Sequence, residues 1–127
     1  MKKAIATTNA PGAIGPYSQA VEAGGFVYVS GQIPLDPATG VFAGDDIVSQ
    51  TKQSLNNVKA ILEAAGCTMN DVVKATVLLS DINDFVEMNG VYDTFFEEPY
   101  PARAAIGVAQ LPKGAQIEID GVMVLPE

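Results

Sequence analysis

Between Asp45 and Gly66 the apolar residues Ile47, Leu55, Val58, Ile61, Leu62 and Ala65 fall mostly three or four positions apart. That spacing predicts a helix with one buried face, opened by Asp45-Asp46 as its cap and stopped at Gly66. Such a helix has to lie against something flat and apolar. A second stripe, Phe85, Met88, Tyr92 and Phe95, begins near Asp81 to Asp84 and runs until Pro99 stops it. Two helices that are amphipathic rather than apolar all round indicate helices laid on one face of a sheet.

The remaining chain supplies the sheet. Gln19 to Ala23 and Phe26 to Gly31 flank Gly24-Gly25, and two glycines between β-prone runs predict a hairpin. Ile33 to Gly44, with Pro34, Pro37, Gly40 and Gly44, reads as a loop. Val72 to Ser80 reads as a strand in which Val73, Ala75, Val77 and Leu79 alternate with Lys74, Thr76 and Ser80, interrupted by Leu78. Ala102 to Val108 and Ala115 to Val124 read as two final strands joined by a loop holding Pro112 and Gly114. The order βββαβαββ gives an α+β class with a mixed sheet and both helices on one face. Its other face lacks a cover, which further copies of the chain are expected to supply.

Composition narrows the function. At 127 residues the expectation is one domain, residues 1–127. The net charge of −8 and six scattered lysines repel a phosphate backbone, so no nucleic-acid partner is expected. The lone Cys67 excludes an intrachain disulfide framework and fits a reducing cytoplasm; without a cationic neighbour it reads as a packing residue. No apolar run is long enough for a signal peptide or a membrane span. Histidine is absent, which removes the commonest general base and metal ligand, so neither metal nor cofactor is expected. Gly12-Ala13-Ile14-Gly15 is too loose a pattern for a nucleotide loop.

Arg103 is the only arginine, and its neighbours in Pro101 to Val108 are small or apolar. A guanidinium cannot shed its charge, so it needs a carboxylate or phosphate partner, and its planar fork fits a carboxylate bidentately. That partner is either internal, such as Glu118 or Asp120, or a small organic acid held in the space beside Ala and Gly, unless Arg103 lies on an edge strand and reaches solvent. Glu118 alternates with Ile117 and Ile119 and so faces away from the core. If the last two strands pair as a hairpin about Gln110-Leu111, Arg103 and Glu118 lie almost opposite each other, as a cross-strand salt bridge or as an anchor beside an acid/base group. Tyr17 follows the rigid turn Ile14-Gly15-Pro16, and Ser30-Gly31 ends a strand where a bare backbone can approach a ligand. Asn89, one position off the second stripe, falls at a pocket rim or in solvent.

Ala10-Pro11-Gly12-Ala13-Ile14-Gly15-Pro16-Tyr17-Ser18-Gln19, Ser30-Gly31-Gln32-Ile33-Pro34, Gln53-Ser54-Leu55-Asn56-Asn57-Val58, Pro101-Ala102-Arg103, Leu111-Pro112-Lys113-Gly114 and Ile117-Glu118-Ile119 together resemble the Rid (YjgF-type) family, in its RidA branch. The resemblance runs from about Asn9 to Asp120. It implies a chorismate-mutase-like fold, a homotrimer with clefts between subunits, and hydrolysis of 2-iminobutanoate and 2-iminopropanoate to 2-oxo acids and ammonia. It also implies that Arg103 binds the substrate carboxylate, that Glu118 is the catalytic acid/base, and that Tyr17, Ser30, Gly31, Asn89 and Ala105 line the pocket. Ala105 stands where relatives have cysteine, at a position used through its backbone, and Asp120-Gly121 replaces the more usual Glu-Ala. The competing expectation is a trimer that binds small carboxylates without turning them over, or a chaperone-like protein.

Overall fold

A computed structural model of the chain describes residues 1–126. Its elements are β1 (Lys3–Ile5), β2 (Ala20–Ala23), β3 (Phe26–Gln32), α1 (Ile47–Ala64), β4 (Val72–Leu79), α2 (Phe85–Asp93), β5 (Ala102–Gly107) and β6 (Ile117–Val124). The order βββαβαββ is the one expected. One six-stranded sheet runs β1-β2-β3-β6-β4-β5, antiparallel except for the parallel pair β4 and β5. Gly24 and Gly25, at φ 61° and 86°, turn β2 into β3 in a conformation that only glycine adopts without strain.

The α1 helix starts where Asp46, rather than Asp45, accepts the Ser49 N–H at 2.7 Å. Its buried face carries Leu55, Val58, Ile61 and Leu62, which meet Val27, Val77, Ile117, Ile119 and Met123 of the sheet in one core. Each fully buried side chain of this kind contributes about 1.5–3 kcal/mol. Polar side chains share that face: Gln50, Thr51, Ser54 and Asn57 are also buried. Two of them tie down loops. Asn57 donates to the Ile33 and Leu35 carbonyls, while Gln50 donates to the Gly44 carbonyl and accepts the Gln116 N–H.

Three local expectations need correction. On β4 the buried residues are Val72, Ala75, Val77 and Leu79, and Val73 is exposed, because the pairing with β6 slips between Val72 and Lys74 and the bulge turns Val73 outward. The second helix ends at Asp93, well before Pro99. There Thr94 donates its hydroxyl to the Val91 carbonyl at 2.6 Å and the Phe95 N–H turns back to Tyr92, so Phe96 rather than Phe95 enters the core, 4.5 Å from the Tyr92 ring.

The third correction matters most. The last two strands do not pair: β6 lies between β3 and β4, and β5 lies beyond β4 at the sheet edge. β4, α2 and β5 form a crossover unit, which returns β5 parallel to β4, and the Val108 to Gln116 connection then passes β4 to reach β6. The face of the sheet away from the helices exposes Phe26, Tyr28, Ile106 and Val124.

Candidate active site

Glu118 opens into a cavity of about 610 Å³ with Tyr17, Ser30, Gly31, Ile33 and Lys113 on its walls. A bulge builds its floor. Val29 pairs with Gly121 and Gln32 with Ile119, so Ser30 and Gly31 together stand against the single Asp120, one residue of extra length on β3, and the strand bends there. Gly31 lies so close to Glu118 that a Cβ on it would stand 2.5 Å from Oε2 and 2.8 Å from Cδ. Only glycine leaves room for that carboxylate.

Burial, and then the charge of Asp120, push the Glu118 carboxyl above its ordinary range, with no hydrogen bond to offset them. An acid in a cavity with a raised pKa and no internal partner is a candidate proton carrier. Its neighbours are polarised in different ways. The Ser30 hydroxyl donates to the Ser18 carbonyl at 2.6 Å, which leaves it lone pairs to offer a ligand. The Tyr17 hydroxyl accepts a long 3.4 Å contact from the Ile14 N–H, which leaves its proton free to donate.

Arg103 lies elsewhere, in a cavity of about 420 Å³ formed with Asn89, Tyr92, Asp93, Tyr100 and Pro101. Its guanidinium donates from Nη1 to the Asn89 Oδ1 at 2.7 Å and sits 4.7 Å from the Tyr92 ring centre and 5.4 Å from that of Phe85. Asn89, Phe85 and Tyr92 all belong to α2, one turn or two apart, so one helix face holds the guanidinium. Its polar partner is a neutral amide. Tyr92 is buried, which raises its phenol pKa against the opposing pull of Arg103, and its hydroxyl has no partner among the described residues. Tyr100 donates to Asp93 at 2.9 Å, and that bond holds the Tyr100 phenol above its ordinary value.

The strand pairing sets the two charges apart. Arg103 is level with Ala75, which is level with Gly121, on the helix side of the sheet, whereas Glu118 is level with Leu78 and Ile106 on the other side. The expected juxtaposition of Arg103 and Glu118 therefore does not occur within one chain. Neither Glu118 nor Asp120 can neutralise Arg103 from across the sheet. Of the expected pocket residues, Tyr17, Ser30, Gly31 and Glu118 share the first cavity and Asn89 and Arg103 the second. Ala105 sits two residues along β5 from Arg103, on the same side.

Sequence reasoning missed Lys113, the one non-glycine residue with positive φ among those described, and the Asp93–Tyr100 pair. Asp93 had a signal: it is four residues, one helical turn, beyond Asn89. Cys67 is buried, and burial followed by Asp71 and Glu22 raises its thiol pKa, which fits the packing role read from the sequence. Among the described residues no cluster of three or more His, Cys, Asp or Glu is placed to hold a metal, and no helix is long and apolar enough to cross a membrane.

The chain is similar over nearly its whole length to known proteins. It is 56% identical over 122 residues to a RutC family protein of Pyrococcus horikoshii, covering 96% of this chain and 97% of that one. It is 53% identical over 127 residues to the 2-iminobutanoate/2-iminopropanoate deaminase of Salmonella typhimurium, covering 98% of both. Among solved structures it superimposes on Escherichia coli TdcF with bound serine at a TM-score of 0.93 and 47% identity, over 98% of this chain and 99% of that one. The fold is the chorismate-mutase-like α+β fold of those neighbours. The family model described as Endoribonuclease L-PSP matches residues 7–125, and with these relatives it shows that the chain belongs to that family, the YjgF/Rid family.

Proposed function

We propose that the protein hydrolyses 2-iminobutanoate and 2-iminopropanoate to 2-oxobutanoate and pyruvate, releasing ammonia, in clefts shared between copies of the chain. The observation that carries this is the split site. Two charged groups suited to one reaction open from opposite faces of the sheet, and neither has a charged partner among the described residues of its own chain. A homotrimer that sets the Arg103 face of one subunit against the Glu118 face of the next would complete the site and cover the exposed Phe26, Tyr28 and Val124. The deaminase name of the relatives at about half identity supports the activity.

The chemistry is within reach of these groups. Arg103 holds the substrate carboxylate through its fork, with Asn89 fixing the guanidinium and Pro101 and Tyr100 walling the space. Glu118 takes a proton from water as the oxygen bonds to the imine carbon and gives it to nitrogen; as the C–N bond breaks, the remaining proton on that oxygen passes to Glu118, the carbonyl forms, and the departing ammonia carries that proton away as ammonium. Tyr17 donates a hydrogen bond and Ser30 accepts one, while Gly31 and Ala105 allow close approach of the backbone. A protonated imine is electrophilic enough for this without metal, cofactor or covalent nucleophile. The charge of −8 and the scattered lysines argue against RNA as the substrate. The cytoplasm, where the lone thiol stays reduced, is the proposed location.

The test generates 2-iminobutanoate enzymatically and follows the acceleration of 2-oxobutanoate formation by the wild type and by Arg103→Ala and Glu118→Gln. Acceleration by the wild type alone supports the proposal. If the wild type binds 2-oxobutanoate but accelerates nothing, the protein is a carboxylate-binding module.

A further inference from the structure

An acidic residue, Asp93, also lines the cavity around Arg103. Asp93 lies one turn beyond Asn89 on α2, and Asn89 already reaches the guanidinium at 2.7 Å. A carboxylate in one small cavity with the chain's only arginine would ordinarily pair with it. It does not: Arg103 bonds to the neutral Asn89 amide, and Asp93 instead accepts the Tyr100 hydroxyl at 2.9 Å. Tyr100 reaches Asp93 from the segment between α2 and β5, three residues ahead of Arg103.

We propose that Tyr100 is a positioning residue that latches Asp93 and so keeps it from competing with the substrate carboxylate for Arg103. The inference rests on Arg103 being the carboxylate anchor. Loss of the Tyr100 hydroxyl frees Asp93 to turn toward the guanidinium, and substrate then has to displace it. Removing the negative charge makes the latch unnecessary. The effect belongs to binding rather than to the chemical step, because the latch acts on Arg103, which holds the substrate carboxylate and takes no part in the proton transfers at the imine carbon.

Binding of 2-oxobutanoate is measured by calorimetry for the wild type, Arg103→Ala, Tyr100→Phe, Asp93→Asn and the Tyr100→Phe/Asp93→Asn double variant, with KM and kcat for imine hydrolysis alongside. Tyr100→Phe should raise Kd and KM about two- to fivefold, the range set by an exposed ion pair, with kcat unchanged. The double variant should bind as well as Asp93→Asn alone. A merely structural role for Tyr100 would leave the double variant as impaired as Tyr100→Phe. That result, or a Tyr100→Phe protein that binds like the wild type, overturns the latch while loss of binding in Arg103→Ala still upholds the anchor. If Arg103→Ala binds normally, the anchor itself is wrong.

Discussion

Replacing Gly31 by alanine tests how closely the backbone has been fitted to the acid. The new Cβ would stand 2.5 Å from Oε2 of Glu118, and ordinary contact begins near 3.4 Å, so the carboxylate must retreat by about 0.9 Å. Gly31 does not need a positive φ, so the substitution strains no backbone, and the group in the way is the far end of a flexible side chain. Turning that side chain off its rotamer costs about 0.5–1.5 kcal/mol, largely offset by the gain of about 0.4–1 kcal/mol when glycine becomes alanine at a compatible site. Stability should hardly change. Catalysis should, because misplacing a reacting group by about 1 Å costs on the order of a hundredfold, or about 2.7 kcal/mol of barrier. The assay is kcat/KM for imine hydrolysis in the wild-type and Glu118→Gln backgrounds. If Gly31 acts by making room for the carboxylate, Gly31→Ala is costly in the first and nearly neutral in the second. An equal loss in both backgrounds, or no loss in the first, would refute the reasoning.

Arg103→Lys should stay severely impaired in 2-oxobutanoate binding, since a point charge cannot reproduce the planar fork that Asn89, Phe85 and Tyr92 hold; near-normal affinity by calorimetry would count against bidentate anchoring. The Glu118 carboxyl is raised by burial and by Asp120, so the folded chain binds its proton more tightly than the unfolded one, and stability falls as pH rises from the ordinary carboxylate range through the raised value. In the Arg103→Ala background, Glu118→Gln should therefore raise Tm at pH 8 but not at pH 4; equal shifts at both would contradict the pKa assignment. Asp120→Asn removes the second cause and should move the acid limb of the pH–rate profile downward, which a profile unchanged from wild type would deny.

The elements of the fold could be read from the sequence because each carries its own local signal. Gly24-Gly25 between β-prone runs and the three-or-four spacing after Asp46 both reappear as a hairpin and a helix. Strand order carries no such local signal. The small residues of β5 suit an edge strand beside β4 as well as a hairpin arm, and the choice depends on where α2 returns the chain. That one misplacement is what put Arg103 opposite Glu118. The candidate site residues were legible as residue types: an arginine among alanines, an alternating glutamate, a glycine at a strand end. Their grouping was not, because it follows from which face of the sheet each side chain leaves, and the bulges at Ser30-Gly31 and Val73 change that parity without marking the sequence.

The shared cleft is tested most directly by mixing two inactive proteins. Arg103→Ala keeps Glu118, and Glu118→Gln keeps Arg103; unfolded together in equal amounts and refolded, they would form mixed trimers under the proposed assembly. If each site takes Arg103 from one subunit and Glu118 from the next, every mixed ring has one intact site, and random assembly should recover about a quarter of wild-type activity. If both residues acted from the same chain, the mixture would remain as inactive as its parents, and the account of the site as a cleft between copies would be wrong.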